Sequence, residues 1–280
     1  MAEVKEWDDE ASKIAGMLYA FLSQSDISEL PDDDQNVAIA NSSNWYNRHA
    51  AGALEILTRK YAEAPVFLAG GVGTRSSARA RELGGEAPEV LEYLVEQGSE
   101  LDEERVTTYV EGEHTRGNME WVAEQVDPEA TLVGYEAAAL PQRSKATLKG
   151  AVERAGKENK VYMINAGPGG WEEFLSMHGG RTDVAAEVLV EEIDRLHKYA
   201  IDEPPKFPAA FTEEQAWAGA DKFGGKANLQ AAAEILKQYY DAEGLKAYHK
   251  ALDGDEGSGK AEALEVLAPV PLRAVAPQVS

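Results

Sequence analysis

Hydrophobic residues recur along this chain in two alternating rhythms, one at helical spacing and one in short unbroken runs. From Asp9 to Gln24 the apolar positions Ile14, Met17, Leu18, Phe21 and Leu22 follow helical spacing, which predicts an amphipathic helix docked on a core. Ser25 to Gln35 is polar, with Pro31 and the run Asp32-Asp33-Asp34, and reads as a linker. Asn36-Val37-Ala38-Ile39-Ala40-Asn41 is the first strand candidate. It ends in Asn41-Ser42-Ser43-Asn44, residue types suited to caps and turns. A helix follows from about Trp45 to Tyr61, with Ala50, Ala53, Leu54 and Leu57 inward, and Pro65 then precedes Val66-Phe67-Leu68-Ala69. Such an unbroken apolar run suits a strand buried on both faces. Strand, helix and strand together span about 30 residues, the size of a right-handed parallel crossover.

The alternation continues. Glu86 to Glu96 reads as a helix with Val90, Leu91, Leu94 and Val95 as its apolar stripe, and Val106 to Val110 as a strand. Asn118 to Gln125 is a short helix closed off by Pro128, and Thr131 to Tyr135 is a strand. Leu140 to Ala155 is helical, with Pro141 in the first turn, where proline is tolerated. Lys160 to Asn165 is a strand ending in Ala166-Gly167-Pro168-Gly169-Gly170, and Asp183 to Ala200 is a strong amphipathic helix. The pattern predicts the α/β class: a Rossmann-like, doubly wound parallel sheet of about five strands. After Pro204-Pro205 the rhythm is helical only, at Phe211 to Trp217, Asn228 to Tyr240 and Leu245 to Leu252. Gly254 to Lys260 reads as a flexible turn, and the tail from Ala268 as loose or extended on the surface. The expected division is an N-terminal helix and linker over 1–30, the α/β core over 31–205 and a helical appendage over 206–280.

Charge and composition narrow the function. Asp plus Glu total 50 against 27 Lys plus Arg, a net charge of −23, so neither nucleic acid nor anionic lipid is an expected partner. Any anionic ligand must then be held by a few local arginines and backbone amides. The chain has no cysteine, which excludes disulfides, thiolate metal sites and cysteine nucleophiles. Its five histidines form no metal-binding pair at helical spacing, so no metal site is expected. No apolar run approaches the roughly 20 residues of a membrane span, and the acidic start lacks a signal-peptide layout. Both features point to a cytoplasmic protein.

The second strand runs into Gly70-Gly71-Val72-Gly73-Thr74-Arg75-Ser76. Glycines let the backbone turn sharply and approach a ligand. Amides left free in such a turn can hold an anion, and Arg75 would add charge. The same spacing also makes an ordinary tight turn, and the pattern leaves both readings open. It meets neither the dinucleotide fingerprint nor the phosphate loop ending in Gly-Lys-Ser/Thr, which disfavours a nicotinamide dehydrogenase.

Polar residues gather after three further strands. They are Asn41, Ser42 and Asn44; then Glu111, Glu113, His114, Thr115, Arg116 and Asn118; then Tyr135, Glu136, Gln142 and Arg143. In a parallel sheet these ends share one edge, so the residues converge on a crevice for a small-molecule ligand. Arg143, one turn into its helix, is a candidate clamp for carboxylate or phosphate, or else a solvated helix arginine. His114 is a candidate general base, though loop histidines are usually just solvated. Glu86 and Glu111 are candidate acid–base groups or hydroxyl acceptors, one of them for a ribose diol. Glu86 also sits at a helix start, where the dipole favours a carboxylate in any case.

In this order the motifs resemble the YdcF/SanA-like family of bacterial domains, most closely its soluble YdcF branch. The likeness runs over roughly residues 8–205. It rests on Asn36 to Asn41, Pro65 to Gly73, Gly85-Glu86-Ala87, Glu111 to Asn118, Leu132-Val133, Gln142-Arg143 with Ala146-Thr147, and the helix Glu192 to Tyr199. The resemblance implies a Rossmann-like core with added helices and a crevice for a nucleotide-like molecule, S-adenosylmethionine being the ligand suggested for that branch. It implies no reaction. Two loops depart from the family pattern. Only Thr115 and Asn118 fit its third loop, and Ala137-Ala138-Ala139 with Arg143-Ser144 stand where polar residues and paired arginines are usual.

The candidate ligand set is therefore Asn41, Gly70, Gly71, Gly73, Thr74, Arg75, Glu86, Glu111, Thr115, Asn118, Tyr135 and Arg143. A hydrolase or transferase acting on a phosphorylated or nucleotide substrate is the competing reading. A third is an interaction protein using Trp217, Phe223, Tyr239 and Tyr240, aromatics that more often belong to a core.

Overall fold

The computed structural model describes residues 4–32, 36–42, 47–73, 76–96, 101–112, 114–200 and 209–246. The sheet strands are β1 (Val37–Ser42), β2 (Val66–Ala69), β3 (Val106–Tyr109), β4 (Thr131–Glu136) and β5 (Val161–Asn165). All pairings are parallel, in the order β3-β2-β1-β4-β5. The doubly wound sheet expected from the apolar runs is thus present, with the chain working outward in both directions from β1.

Alternation along the strands sends successive side chains to opposite faces. Val37, Ile39, Val133 and Tyr135 pack with α2 (Asn47–Lys60) and α4 (Glu86–Glu96). Ala38, Ala40 and Leu132 pack with α5 (Thr115–Gln125) and α6 (Pro141–Arg154). Both faces are therefore covered, which is why β1 and β2 read as continuous apolar runs. Ala53, Leu54 and Leu57 of α2 are buried as expected. In α4 the stripe is narrower than its spacing suggests: Val90 and Leu94 are buried, but Val95 is 66% exposed.

Some boundaries moved for identifiable reasons. α5 begins at Thr115, three residues before the expected start, because the His114 side chain caps it by accepting the Gly117 N–H at 3.0 Å. α3 (Ala78–Leu83) was not expected; Ser77 caps it and Gly84 closes it in the left-handed conformation. α7 (Trp171–Met177) was also unexpected in its glycine-rich surroundings. Of the polar linker after α1 (Asp9–Leu22), Ser25 and Asp26 lie along the open edge of β5. There Asp26 N–H donates to the Met163 carbonyl, and its carboxylate accepts the Met163 N–H, both at 2.8 Å. Lys145 Nζ holds the same carboxylate at 2.6 Å. An edge covered in this way cannot pair with another chain.

The two ends of the described chain meet. α1 packs in one apolar cluster with α7, α8 (Thr182–Ala200), α9 (Glu213–Ala216) and α10 (Lys226–Leu236). Phe21 stacks on Trp217, ring centroids 5.9 Å apart and nearly parallel. Trp7 stacks on Trp171 at 5.8 Å, and Lys5 N–H donates to the Gln238 carbonyl at 2.9 Å. The expected Phe211–Trp217 helix is only the short α9, held by a Thr212–Gln215 capping box. Trp217, Tyr239 and Tyr240 are buried here, so these aromatics serve the core. The Leu245–Leu252 helix falls largely outside the described residues, and the Gly254–Lys260 turn and the tail entirely so. No helix among the described residues is long and apolar enough to cross a membrane.

Phe21 is fully buried at the centre of this cluster. Phe21→Ala is expected to lower unfolding free energy by about 3–5 kcal/mol, with a single urea transition retained. A loss below about 1 kcal/mol would separate the terminal helices from the cooperative core.

Candidate functional site

The sheet opens between β1 and β4. Their pairing runs from Val37 with Thr131 to Ala40 with Gly134. Beyond that register each strand keeps only its outer neighbour: Ser42 stays beside Ala69 of β2, and Glu136 beside Asn165 of β5. The Ala166 N–H, donating to the Glu136 carbonyl at 2.6 Å, extends the pull of β5 on β4. This notch in the hydrogen-bond ladder lies where the winding reverses, the place where ligands bind in open parallel sheets.

Buried polar side chains line this notch. Asn41 Nδ2 donates across it to the Tyr135 carbonyl at 2.8 Å. On the α5 face Asn118 Nδ2 donates to Ser42 Oγ at 3.4 Å. Asn118 is 3% exposed, and its Oδ1 has no hydrogen-bond partner among the described residues. The side chain lies against Gly112, where a Cβ would come within 1.8 Å of Oδ1, so only glycine fits there. Tyr135 is wholly buried in the α2/α4 cluster rather than facing the crevice. Burial pushes its phenol well above the ordinary range, and the neighbouring Glu136 adds to that shift.

Arg143 reaches the same region from α6. Its Nε donates to Glu192 Oε2 at 2.5 Å and its Nη1 to Thr115 Oγ1 at 3.1 Å. Arg195 donates to the other oxygen of Glu192 and, at 2.7 Å, to Glu191. Burial would raise the Glu192 carboxyl, but the two guanidinium groups outweigh it and hold the group below its ordinary range. Two of the donors that would make Arg143 an anion clamp are thus spent inside the protein. Arginine has no acceptor, so Thr115 Oγ1 accepts from it and keeps its own hydrogen for donation.

The turn that starts α6 is strained and apolar. Ala138 adopts φ +57, rare for a residue with a side chain. Gly167 packs against it, and a Cβ at Gly167 would lie 2.3 Å from the Ala138 nitrogen. Ala137, Ala138 and Ala139 are all fully buried in the cluster that contains α1 and α8. This packing leaves no place for polar side chains at the three positions. Gln142 points away from the notch, with Nε2 donating to the Ala216 and Ala218 carbonyls at 3.0 and 3.1 Å.

The glycine turn after β2 differs from the anion cradle its sequence suggested. Gly70 N–H donates to the Tyr109 carbonyl at 2.8 Å, Gly71 N–H to the Gly112 carbonyl at 2.9 Å, and Gly73 N–H to Ser76 Oγ at 2.7 Å. The Gly70 and Gly71 carbonyls accept from Ala87 and Glu86, the first amides of α4, at 3.0 and 3.4 Å. Those three glycine amides and that helix start are satisfied internally. Gly71 is required because a Cβ would sit 2.2 Å from the Val110 carbonyl. Thr74 and Arg75 lie outside the described residues, as do Asn44 and Glu113. Glu111 is exposed in the β3–α5 loop, and His114 is engaged as the α5 cap.

Glu86 stands beside this turn at the start of α4. Ser76 Oγ donates to its Oε1 at 2.7 Å while accepting the Gly73 N–H. Burial is the main cause that lifts the Glu86 carboxyl to about 7; the Ser76 hydrogen bond opposes it and Glu89 reinforces it. Glu89 is itself buried and accepts from Ser77 Oγ at 2.5 Å and Tyr93 at 2.9 Å. Two participants escaped the sequence reading. Ser76 lay in view without a partner to identify it, and Glu192 pairs with Arg143 across 49 positions of chain. Among the described residues no three His, Asp or Glu side chains gather to hold a metal ion.

Two opposite pH effects follow. A carboxyl raised to about 7 contributes stability that is complete below its unfolded value near 4.5 and lost as pH rises through 7. That loss is about 3 kcal/mol at most. Glu86→Gln removes this slope in denaturation measured between pH 4.5 and 8. The lowered Glu192 works the other way, contributing above the ordinary carboxylate range and losing its contribution on acidification. Glu192→Gln is expected to cost about 3–5 kcal/mol at pH 7, read by urea denaturation, because it leaves Arg143 and Arg195 uncompensated. No protein-family model matches this chain, and no curated protein matches it.

Proposed function

We propose that this protein binds an uncharged or cationic, nucleoside-like small molecule in the notch between β1 and β4, at the C-terminal ends of the parallel strands. S-adenosylmethionine is the candidate that the resemblance to the YdcF branch supplies. The observation that carries the reading is the set of neutral hydrogen-bonding groups at the parting of the strands. Asn118 Oδ1 is buried there with no partner among the described residues. A buried acceptor left unmatched costs about 1–3 kcal/mol, and a ligand donor would recover it.

The chemistry of the surroundings narrows the ligand class. The Gly70, Gly71 and Gly73 amides, the start of α4 and two donors of Arg143 are each engaged within the protein. Those are the devices that would hold a phosphate. S-adenosylmethionine carries no phosphate, and its one carboxylate would fall to the N–H donors of Arg143 not bonded to Glu192 or Thr115. Asn118 Oδ1 and the hydrogen of the Thr115 hydroxyl would meet its polar edges, and Glu86 is the candidate acceptor for a ribose diol. Such a cofactor, when bound, supplies a transferable methyl group. The same features weigh against a hydrolase of phosphorylated substrates.

Calorimetry with S-adenosylmethionine, S-adenosylhomocysteine, ATP and inorganic phosphate tests the reading. Saturable heat with the adenosyl ligands is expected, and Asn118→Ala should weaken it about tenfold. No heat at millimolar adenosyl ligand, or tighter binding of ATP, would overturn it.

A further inference from the structure

Three polar side chains, from α5 and α6, line the gap where β1 and β4 part. Thr115 and Asn118 stand three apart on α5, so they share one face of it with Cβ atoms about 5–6 Å apart. Asn118 Nδ2 reaches Ser42 Oγ at the end of β1, at 3.4 Å, and Arg143 of α6 reaches Thr115 Oγ1 at 3.1 Å. The line of contacts therefore runs from the end of β1, along α5, to the start of α6.

The unused capacity along this line has opposite sense at its two ends. Asn118 Oδ1 accepts from no described residue, and Gly112 beside it has no side chain to supply a donor. The Asn118 amide is held only by the long contact to Ser42 and its terminal torsion is soft, so Oδ1 turns toward a donor at low cost. The other end lacks acceptors. Arg143 spends its Nε hydrogen on Glu192 and one Nη1 hydrogen on Thr115, leaving about three of the five donors that a guanidinium carries. Its side chain is 11% exposed, so these donors are not sealed from solvent. The Thr115 hydroxyl keeps its own hydrogen beside them. Glu192 is shared between Arg143 and Arg195, which leaves Arg143 able to take a second carboxylate. Arg116, next along α5, is bound to Glu120 at 2.8 Å and does not compete.

We propose that Thr115, Asn118 and Arg143 form a subsite for the α-amino-acid end of the ligand. The carboxylate accepts from the remaining N–H groups of Arg143 and from the Thr115 hydroxyl, and the ammonium donates to Asn118 Oδ1. Both ligand groups hang from one carbon, which suits one face of α5 carrying a donor and an acceptor a single turn apart. A bare nucleoside satisfies neither end. This inference rests on the nucleoside-like reading above and deepens it, because it makes the amino-acid end the feature that the site selects.

The test is titration calorimetry of the full chain with S-adenosylmethionine, its decarboxylated analogue and 5′-methylthioadenosine. Loss of the carboxylate should weaken binding about tenfold or more, and loss of the whole amino-acid end further still. Thr115→Val, which keeps the side-chain shape, should weaken S-adenosylmethionine about tenfold and leave the decarboxylated analogue unchanged. Asn118→Ala should weaken both of these and leave 5′-methylthioadenosine unchanged. Each comparison is between ligands on one variant, so a general loss of stability cancels. Equal affinity for S-adenosylmethionine and its decarboxylated analogue, or variants that weaken all three ligands alike, overturns the subsite and leaves the nucleoside-like reading standing. Absence of binding by all three removes both.

Discussion

The loss of pairing between β1 and β4 beyond Ala40 and Gly134 is the constraint on which the site depends. β1 must stay with β2 and β4 with β5, because each outer pairing continues two residues further. Twisted parallel strands wound in opposite directions from a common centre cannot satisfy both neighbours at their ends. The exposed backbone has to be met by side chains instead. Asn41 does this directly by donating to the Tyr135 carbonyl. Once that bridge is made, Ser42 and Asn118 fall on the opposite face of the same gap.

The polar groups around the gap divide into two kinds. Most are spent on holding the fold. Arg143, Glu192 and Arg195 form a buried ion network that joins α6 to α8 and fixes the Thr115 hydroxyl at the start of α5. The glycine turn is a mechanical joint, closing β2 against the β3–α5 loop and the first turn of α4. A smaller set keeps hydrogen-bonding capacity unused among the described residues: Asn118 Oδ1 and the hydrogen of the Thr115 hydroxyl. These sit in surroundings of low polarity, where each hydrogen bond counts for more and each unmatched group costs more.

Much of the fold was legible from the chain alone. The five expected strand segments became the five strands, and the amphipathic spacing of α1, α2, α4, α6 and α8 placed these helices within a few residues. Short elements were missed where local cues compete: α3 and α7 are each too brief to show a full apolar period. The tail aromatics could not be assigned from spacing, because what buries Trp217 is Phe21, far away in sequence. Asn41, Thr115, Asn118 and Arg143 could be grouped from the sequence because each follows a strand in a parallel sheet. Tyr135 follows the same rule, yet strand alternation turns its ring into the core.

The sequence by itself determined the parallel α/β architecture, the two-faced burial of the sheet and the edge at which polar residues collect. Those follow from periodicity, since buried parallel strands must be apolar throughout and their loops must turn at one edge. Tertiary structure alone decided what each polar residue does there. Gly70, Gly71 and Gly73 look like an anion cradle until the Tyr109 and Gly112 carbonyls and the Ser76 hydroxyl claim their amides. Arg143 looks available until Glu192 closes on it from a helix nearly fifty residues away. A donor's availability depends on which acceptors reach it, and in a folded chain those acceptors come from distant segments that no local pattern encodes.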